Sequence, residues 1–386
     1  GEAYILNAAC ILELGNDSLA FSLLNEALEI FKKSEEEIEE ANVYSGLGRI
    51  FQYRSQYYKA IEYNKNALTI YEKNKNIELS GKANLNLGVC YYLLSDFAEA
   101  AQYYLKANNY FEQLGNRQYV AVTLSNLART ERELKKYSSS IEYFRKGLSI
   151  QFIIKDSFGI AKSLQGIGIA FEKKKKSDSA LWYYYKALAI NKSKNYKLNI
   201  AENLTNIGII YKDIGRYEEA YFSLNEALSL YNEINRKMNK YQVELNIGEL
   251  FCNAPDSFFS EKTIPLSQRY TKASLLFNNI ISYSKESEDI DLESKGWLGL
   301  SMVYEKTGDY KKTFEAYKKY VVLQDSIINE EKVEATTKQI DKFEFEKKEA
   351  VIQTTHQAEI KQQKTVKNAL ATGAGILAIG GIISFL

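Results

Sequence analysis

Asn86-Leu87-Gly88-Val89-Cys90-Tyr91 is the stretch from which the rest of the chain is read. Moved on by 40 residues it returns as Asn126-Leu127-Ala128, and then as Ile167-Gly168-Ile169-Ala170-Phe171. Two further periods give Asn206-Ile207-Gly208-Ile209-Ile210-Tyr211 and Asn246-Ile247-Gly248-Glu249-Leu250-Phe251, and one period back stands Leu47-Gly48-Arg49-Ile50-Phe51. Self-similarity at a fixed period of this length marks a repeat array, in which each unit buries its apolar face against its neighbours.

Each period holds two segments of helical periodicity. Nine residues after the aromatic that closes the quoted stretch comes a small residue: Ala60, Ala100, Ser140, Ala180, Ala220. Seven further comes another: Ala67, Ala107, Gly147, Ala187, Ala227. Small residues on facing helices let two backbones approach closely while large ones fill the flanks. Gly215-Arg216-Tyr217 and Gly308-Asp309-Tyr310 read as turns between the paired helices. With only 2 prolines in 386 residues, little in the chain interrupts a helix.

The pattern resembles the tetratricopeptide repeat, whose motif places a large residue, Leu-Gly and Tyr in its first helix and small residues around an aromatic in its second. Tyr44, Leu47, Gly48, Phe51, Ala60 and Ala67 take those places in one unit; Trp297, Leu300, Ser301, Tyr304, Thr313 and Tyr317 take most of them in the last. The period of 40 exceeds the family's usual ~34 and the proline that ends the second helix is missing, so longer helices are expected. The expected fold is an all-α tetratricopeptide solenoid over residues 1–328, with about seven helix-turn-helix units, the first beginning near Ala8. An insertion at 252–272 lies in the unit counted as the sixth. It holds Pro255, Pro265, Phe258 and Phe259, and reads as a longer connection with a helix restarting near Pro265, or as a binding lid.

After Tyr320 the repeat pattern stops. Residues 329–367 read as a charged helical or coiled-coil linker, with Val333, Ile340, Phe343, Ala350 and Val351 in an irregular heptad stripe that suggests a homodimer through this stalk. Residues 368–386 hold an 18-residue run without charge, with small residues four apart at Ala371 and Gly375, and read as one transmembrane helix that attaches the chain to a membrane.

Composition excludes some functions. Lys+Arg at 50 against Asp+Glu at 49 gives no drive towards nucleic acid. Cys10, Cys90 and Cys252 are too few and too scattered for a disulfide framework or a metal site. No spacing suits a catalytic constellation, a metal or a cofactor, and the one histidine, His356, stands on the charged linker. The chain is therefore read as a binding module and not as an enzyme in itself.

What the resemblance implies is a site in the groove lined by the first helices. The residue before Leu-Gly faces it: Asn86, Asn126, Asn206 and Asn246, with Gly46 and Gly166 in two units. A carboxamide offers a donor and an acceptor, and a row of them suits the backbone of an extended peptide; the same row is equally suited to joining neighbouring helices. Lys82, Arg129, Arg132, Lys162 and Lys212 are expected on the same face. Arg129 and Arg132, with Asn126 and Lys162, would grip a carboxylate, while Glu202, Asp213 and Glu249 make the later units more acidic. The partner expected in the groove is a peptide or protein.

Residues 340–350 and 361–368 are similar to the juncture of bacterial membrane sensors that set tetratricopeptide repeats before a membrane helix and an output domain, often a LytS-type histidine kinase. That resemblance implies a sensor whose repeats lie outside the inner membrane. Lys361, Lys364 and Lys367 beside the apolar run argue for the cytoplasmic side instead, as in a tail-anchored adaptor that only assembles partners.

Overall fold

The computed structural model describes residues 16–260 and 263–383, together with Asn7 and Ile11; from 366 onward it describes the helix and not its side chains. Among the described residues there are fifteen α-helices and two short 3-10 turns. They are α1 (Asp17–Ser34), α2 (Glu37–Tyr53), α3 (Tyr57–Lys73), α4 (Ile77–Leu93), α5 (Phe97–Gln113), α6 (Arg117–Glu133), α7 (Tyr137–Ile153) and α8 (Ser157–Lys173). Then follow α9 (Ser177–Ser193), α10 (Lys197–Asp213), α11 (Tyr217–Glu233), α12 (Lys237–Asn253), α13 (Arg269–Glu286), α14 (Ile290–Thr307) and α15 (Tyr310–Ile383). Seven complete pairs run from α2–α3 to α14–α15. Ahead of them α1 stands in the place of the second helix of a further unit, and the residues before it, where a unit is expected to begin near Ala8, lie outside the described ones apart from Asn7 and Ile11.

The period of 40 is two helices of 17 residues and two three-residue turns. Each turn repeats one device. Ser55 has φ 56°, its N–H donates to Gln52 O at 3.0 Å, and the N–H of Gln56 donates to Phe51 O at 2.9 Å. This satisfies the orphan carbonyls at the helix end. The same left-handed residue recurs every 20 positions, as Lys75, Ser95, Gly115, Lys135, Lys155, Lys175, Asn195, Gly215 and Asn235. Asn76, Asp96, Asn116 and Asp156 accept from backbone N–H groups in the first turn of the helices that follow them.

Small residues at the crossings make the close packing. A Cβ on Gly88 would lie 2.6 Å from the Tyr104 ring, and one on Gly168 would lie 2.7 Å from Tyr184. Tyr184 is fully buried, and its hydroxyl donates to Glu172 at 2.7 Å. Buried residues from Ala180 to Ala316 form one continuous core cluster across several units.

The insertion is a packed connection. It forms 3-10 turns at Asp256–Phe258 and Leu266–Gln268, and Pro265 precedes the second of them. Phe258 is buried beside Tyr221 at 5.8 Å and Phe259 at 4.9 Å. Arg269 holds it to α12: Nε donates to Phe251 O at 2.7 Å, Nη2 to Cys252 O and Ala254 O, and Nη1 to Asp256 at 2.8 Å.

One buried carboxylate departs from the repeat. Leu124, Leu164 and Leu204 are buried where the α12 unit has Glu244, itself only 6% exposed. Its Oε2 has no hydrogen-bond partner among the described residues, and Lys240 Nζ stands 3.6 Å from Oε1. Burial pushes its pKa up, against the opposing pull of Lys240. An acid with a raised folded pKa binds its proton more tightly when folded, so stability falls as pH rises through that pKa. Glu244→Leu is expected to stabilise the array by about 1–3 kcal/mol at pH 7. Thermal melts should show this gain shrinking as pH is lowered through the carboxylate range.

The chain divides into two compact units, Gly1–Glu330 and Glu331–Leu386. In the second, Val333, Ile340, Phe343 and Val351 are exposed on α15. The expected membrane span is corrected. α15 runs through it as far as Ile383, and 384–386 lie outside the described residues. Among the described residues no helix is long and apolar enough to cross a membrane, which overturns the single-pass membrane localisation.

Candidate functional site

The position before Leu-Gly has a packing partner in the repeat. A Cβ on Gly46 would meet Leu24 at 2.9 Å, one on Gly166 would meet Phe144 at 2.3 Å, and one on Gly299 would meet Phe277 at 2.3 Å. Each of those large residues comes from the second helix of the preceding unit. The asparagines share this register: Asn86 Nδ2 donates to Asn64 Oδ1 at a long 3.5 Å, and the residues at the same 22-residue spacing from Asn126 and Asn206 are Tyr104 and Tyr184. The row therefore adjoins the residues that wedge between units.

Gly166 opens a cavity of about 600 Å³ between α6 and α8, a volume of ligand size. Asn126, Arg129, Arg132 and Lys162 all line it, so four of the sequence-predicted residues are brought together. Gln118, Phe144, Phe158, Gln165 and, from α10, Glu202 complete its wall. Sequence reading missed the aromatic wall, because Phe144 lies on a second helix and reaches the cavity only where Gly166 has no side chain.

The charges in this wall are unequally satisfied. Lys162 Nζ donates to Glu202 Oε2 at 3.0 Å, and Gln165 Nε2 donates to the same oxygen at 3.3 Å. Arg132 Nη2 donates to Glu133 Oε1 at 3.0 Å. Arg129 lies over the Tyr92 ring at 5.2 Å and has no carboxylate partner among the described residues. Asn126 has no side-chain hydrogen bond among them either. Polar groups left open in a partly apolar cavity are the kind that orient a ligand.

The other five residues lie elsewhere on the array. Lys82 pairs with Glu78 and sits 5.6 Å from the centre of the Tyr119 ring. Lys212 donates to Asn246 Oδ1 at 2.8 Å and pairs with Glu249, while Asn246 Nδ2 donates to Gln242 O at 2.9 Å. Asn206 has no side-chain hydrogen bond among the described residues. Asn86 and Asn246 are thus tied into the array, and Asn126 and Asn206 are open. Among the described residues no cluster of His, Cys, Asp or Glu is arranged to hold a metal.

Comparison with known proteins bears on the repeat and the fold. The tetratricopeptide repeat matches residues 1–73 and 79–151, and a second description of the same repeat matches 201–234. Among curated proteins none matches the sequence. The fold is similar to the apo form of RapI, at 17% identity over 80% of this chain and 82% of that one, with a TM-score of 0.62. It is similar also to the apo form of the quorum sensor NprR from B. thuringiensis, at 13% identity over 83% and 86% of the two chains, TM-score 0.62. Aspartyl phosphate phosphatase F from Bacillus subtilis is 16% identical over 79% and 75%, with a TM-score of 0.56. At these identities the likeness is one of fold. Residues 1–73, 79–151 and 201–234 thus match the tetratricopeptide repeat, and the repeated helix pairs carry the same all-α solenoid architecture beyond them.

Proposed function

We propose that the array is a receptor for an extended peptide or a peptide-like segment of a protein, held along the first-helix face and anchored by a carboxylate in the α6–α8 cavity. The observation that carries this is the convergence of Asn126, Arg129, Arg132 and Lys162 on one cavity, with Arg129 unneutralised. Arg129 and Arg132 are the carboxylate donors, Asn126 and Asn206 bind backbone amides, and Phe158 and Val122 supply apolar contact. Lys162 is held back by Glu202, which sets the far limit of the basic region. The similarity of fold to a quorum sensor supports a receptor role. The finer reading, that the array is the sensor part of a histidine kinase, rests on the resemblance of residues 340–350 and 361–368 alone.

The test is retention of a pool of short acidic peptides on immobilised protein, against the same pool with every carboxyl group amidated. Carboxylate-bearing peptides should be retained, and Arg129→Ala/Arg132→Ala should weaken retention by roughly 10- to 100-fold, the range for charge-assisted hydrogen bonds. Equal retention of the two pools, or an unaffected double variant, sinks the reading.

A further inference from the structure

The second helices of the array place a buried residue against the unit that follows, a large one in every case but Asn64. Tyr104, Phe144, Tyr184 and Phe277 hold this position and are all buried. In α15 the same position is Tyr317, and it is 50% exposed. Phe314, in the register where Ile61, Ile141 and Leu181 are buried, is 69% exposed. Tyr310, Val321 and Ile328 are exposed as well. Terminal repeats usually turn a polar outer face to water. This one presents a stripe of three aromatics and two aliphatics, roughly 27 Å long at 1.5 Å per residue.

The spacing of the stripe is that of a helix–helix seam. Tyr310, Phe314, Tyr317, Val321 and Ile328 follow one another at 4, 3, 4 and 7 residues. The opposite face of α15 is already committed to the array, where Ala316 is buried and Lys319 Nζ lies 4.1 Å from the Trp297 ring centre; within the stripe, Gln324 takes the position between Val321 and Ile328 and donates to Ser294 Oγ at 2.6 Å. Charge reverses along the segment. Lys311, Lys312, Lys318 and Lys319 outnumber Glu315 in its first half, and Asp325, Glu330 and Glu331 follow. What completes this surface is a helix with an apolar face and the opposite run of charge, which is the same segment turned end for end.

We propose that a second copy of the chain docks on this stripe, antiparallel and about a two-fold axis near Lys319. Tyr310 then meets the partner's Ile328, Tyr317 meets the partner's Val321, and Lys311 comes beside the partner's Asp325. A two-fold contact is self-complementary in this way by construction. Parallel pairing would set Lys311 and Lys318 against their own copies, where like charges repel. The proposal concerns the end of the array and is independent of what the α6–α8 cavity holds.

Sedimentation of the whole chain should show a dimer at micromolar concentration. Phe314→Glu/Val321→Glu should weaken it by on the order of 100-fold, as for central interface residues, with helical circular dichroism unchanged. Lys311→Glu, which disturbs no buried group, should weaken the dimer, and Lys311→Glu/Asp325→Lys should restore it. Tyr310→Cys and Ile328→Cys proteins should cross-link when mixed and not alone. A monomeric wild-type chain, a dimer that survives the Phe314 and Val321 changes, or cross-linking of each single-cysteine protein with itself would overturn the proposal.

Discussion

Arg269→Ala is expected to destabilise the array by about 3–5 kcal/mol and to split its unfolding into two steps. The guanidinium is nearly buried and its donors are occupied by three backbone carbonyls and Asp256. Two of those carbonyls, Phe251 O and Cys252 O, belong to the last turn of α12, where no intrahelical donor remains. The cation also lies 4.5 Å from the centre of the Phe259 ring, so its removal strips the insertion of a stacking partner too. Alanine would leave the carbonyls buried and unpaired. A repeat array transmits stability only between neighbours, so a break at this joint releases α13–α15 before the units ahead of them. In a Trp182→Phe background, which leaves Trp297 as the sole tryptophan, guanidinium melts followed separately by fluorescence and by helical circular dichroism should diverge in the variant and coincide without it. Coincident transitions in both, with less than about 1 kcal/mol of loss, would mean that water replaces the guanidinium.

Phe277→Ala should cost about 3–5 kcal/mol, the range for removing a buried aromatic. The ring is fully buried and stands between two glycines: a Cβ would meet it at 2.7 Å from Gly248 and at 2.3 Å from Gly299. No neighbour is long enough to fill the space, because the flanking positions are already glycine. Gly299→Ala is the converse case, an overpacked joint, and should cost about 1–3 kcal/mol. Combining Phe277→Leu with Gly299→Ala should recover part of that loss. Equilibrium unfolding of the wild type, Phe277→Leu, Gly299→Ala and the double variant checks this; additive losses would show that the ring and the glycine do not act as one joint.

These two sites also mark where the fold was legible in the sequence. Gly48, Gly88, Gly168, Gly208 and Gly248 announce the architecture because close helix crossings demand a residue without a side chain at a fixed period. The row at Asn86, Asn126, Asn206 and Asn246 was legible as one face of the first helices. Its possible role in joining neighbouring helices was legible too; the residue it adjoins was not, because that partner lies about 22 residues back, on a helix read separately. Arg269 gave no signal, since it binds main-chain carbonyls 15 to 18 residues away, which no side-chain pattern reveals. Most turns were equally silent, because Ser, Lys and Asn stand at their left-handed positions more often than Gly. The single-pass membrane expectation rested on the charge-free run at 369–386 alone, and among the described residues no helix is long and apolar enough to cross a membrane. In the cavity, Arg129, Arg132, Asn126 and Lys162 were legible together; the ion pair that holds Lys162 to Glu202 was not, as it joins helices 40 residues apart.

The central claim is that ligand enters between α6 and α8. Hydrogen exchange along the whole chain, with and without the pool of short acidic peptides, tests it most directly. The account expects slower exchange in the cavity segments at 118–132 and 156–169, with no change at 256–268 in the insertion. Slowing confined to the insertion, or to the second helices α3, α5, α9 and α11, would contradict it.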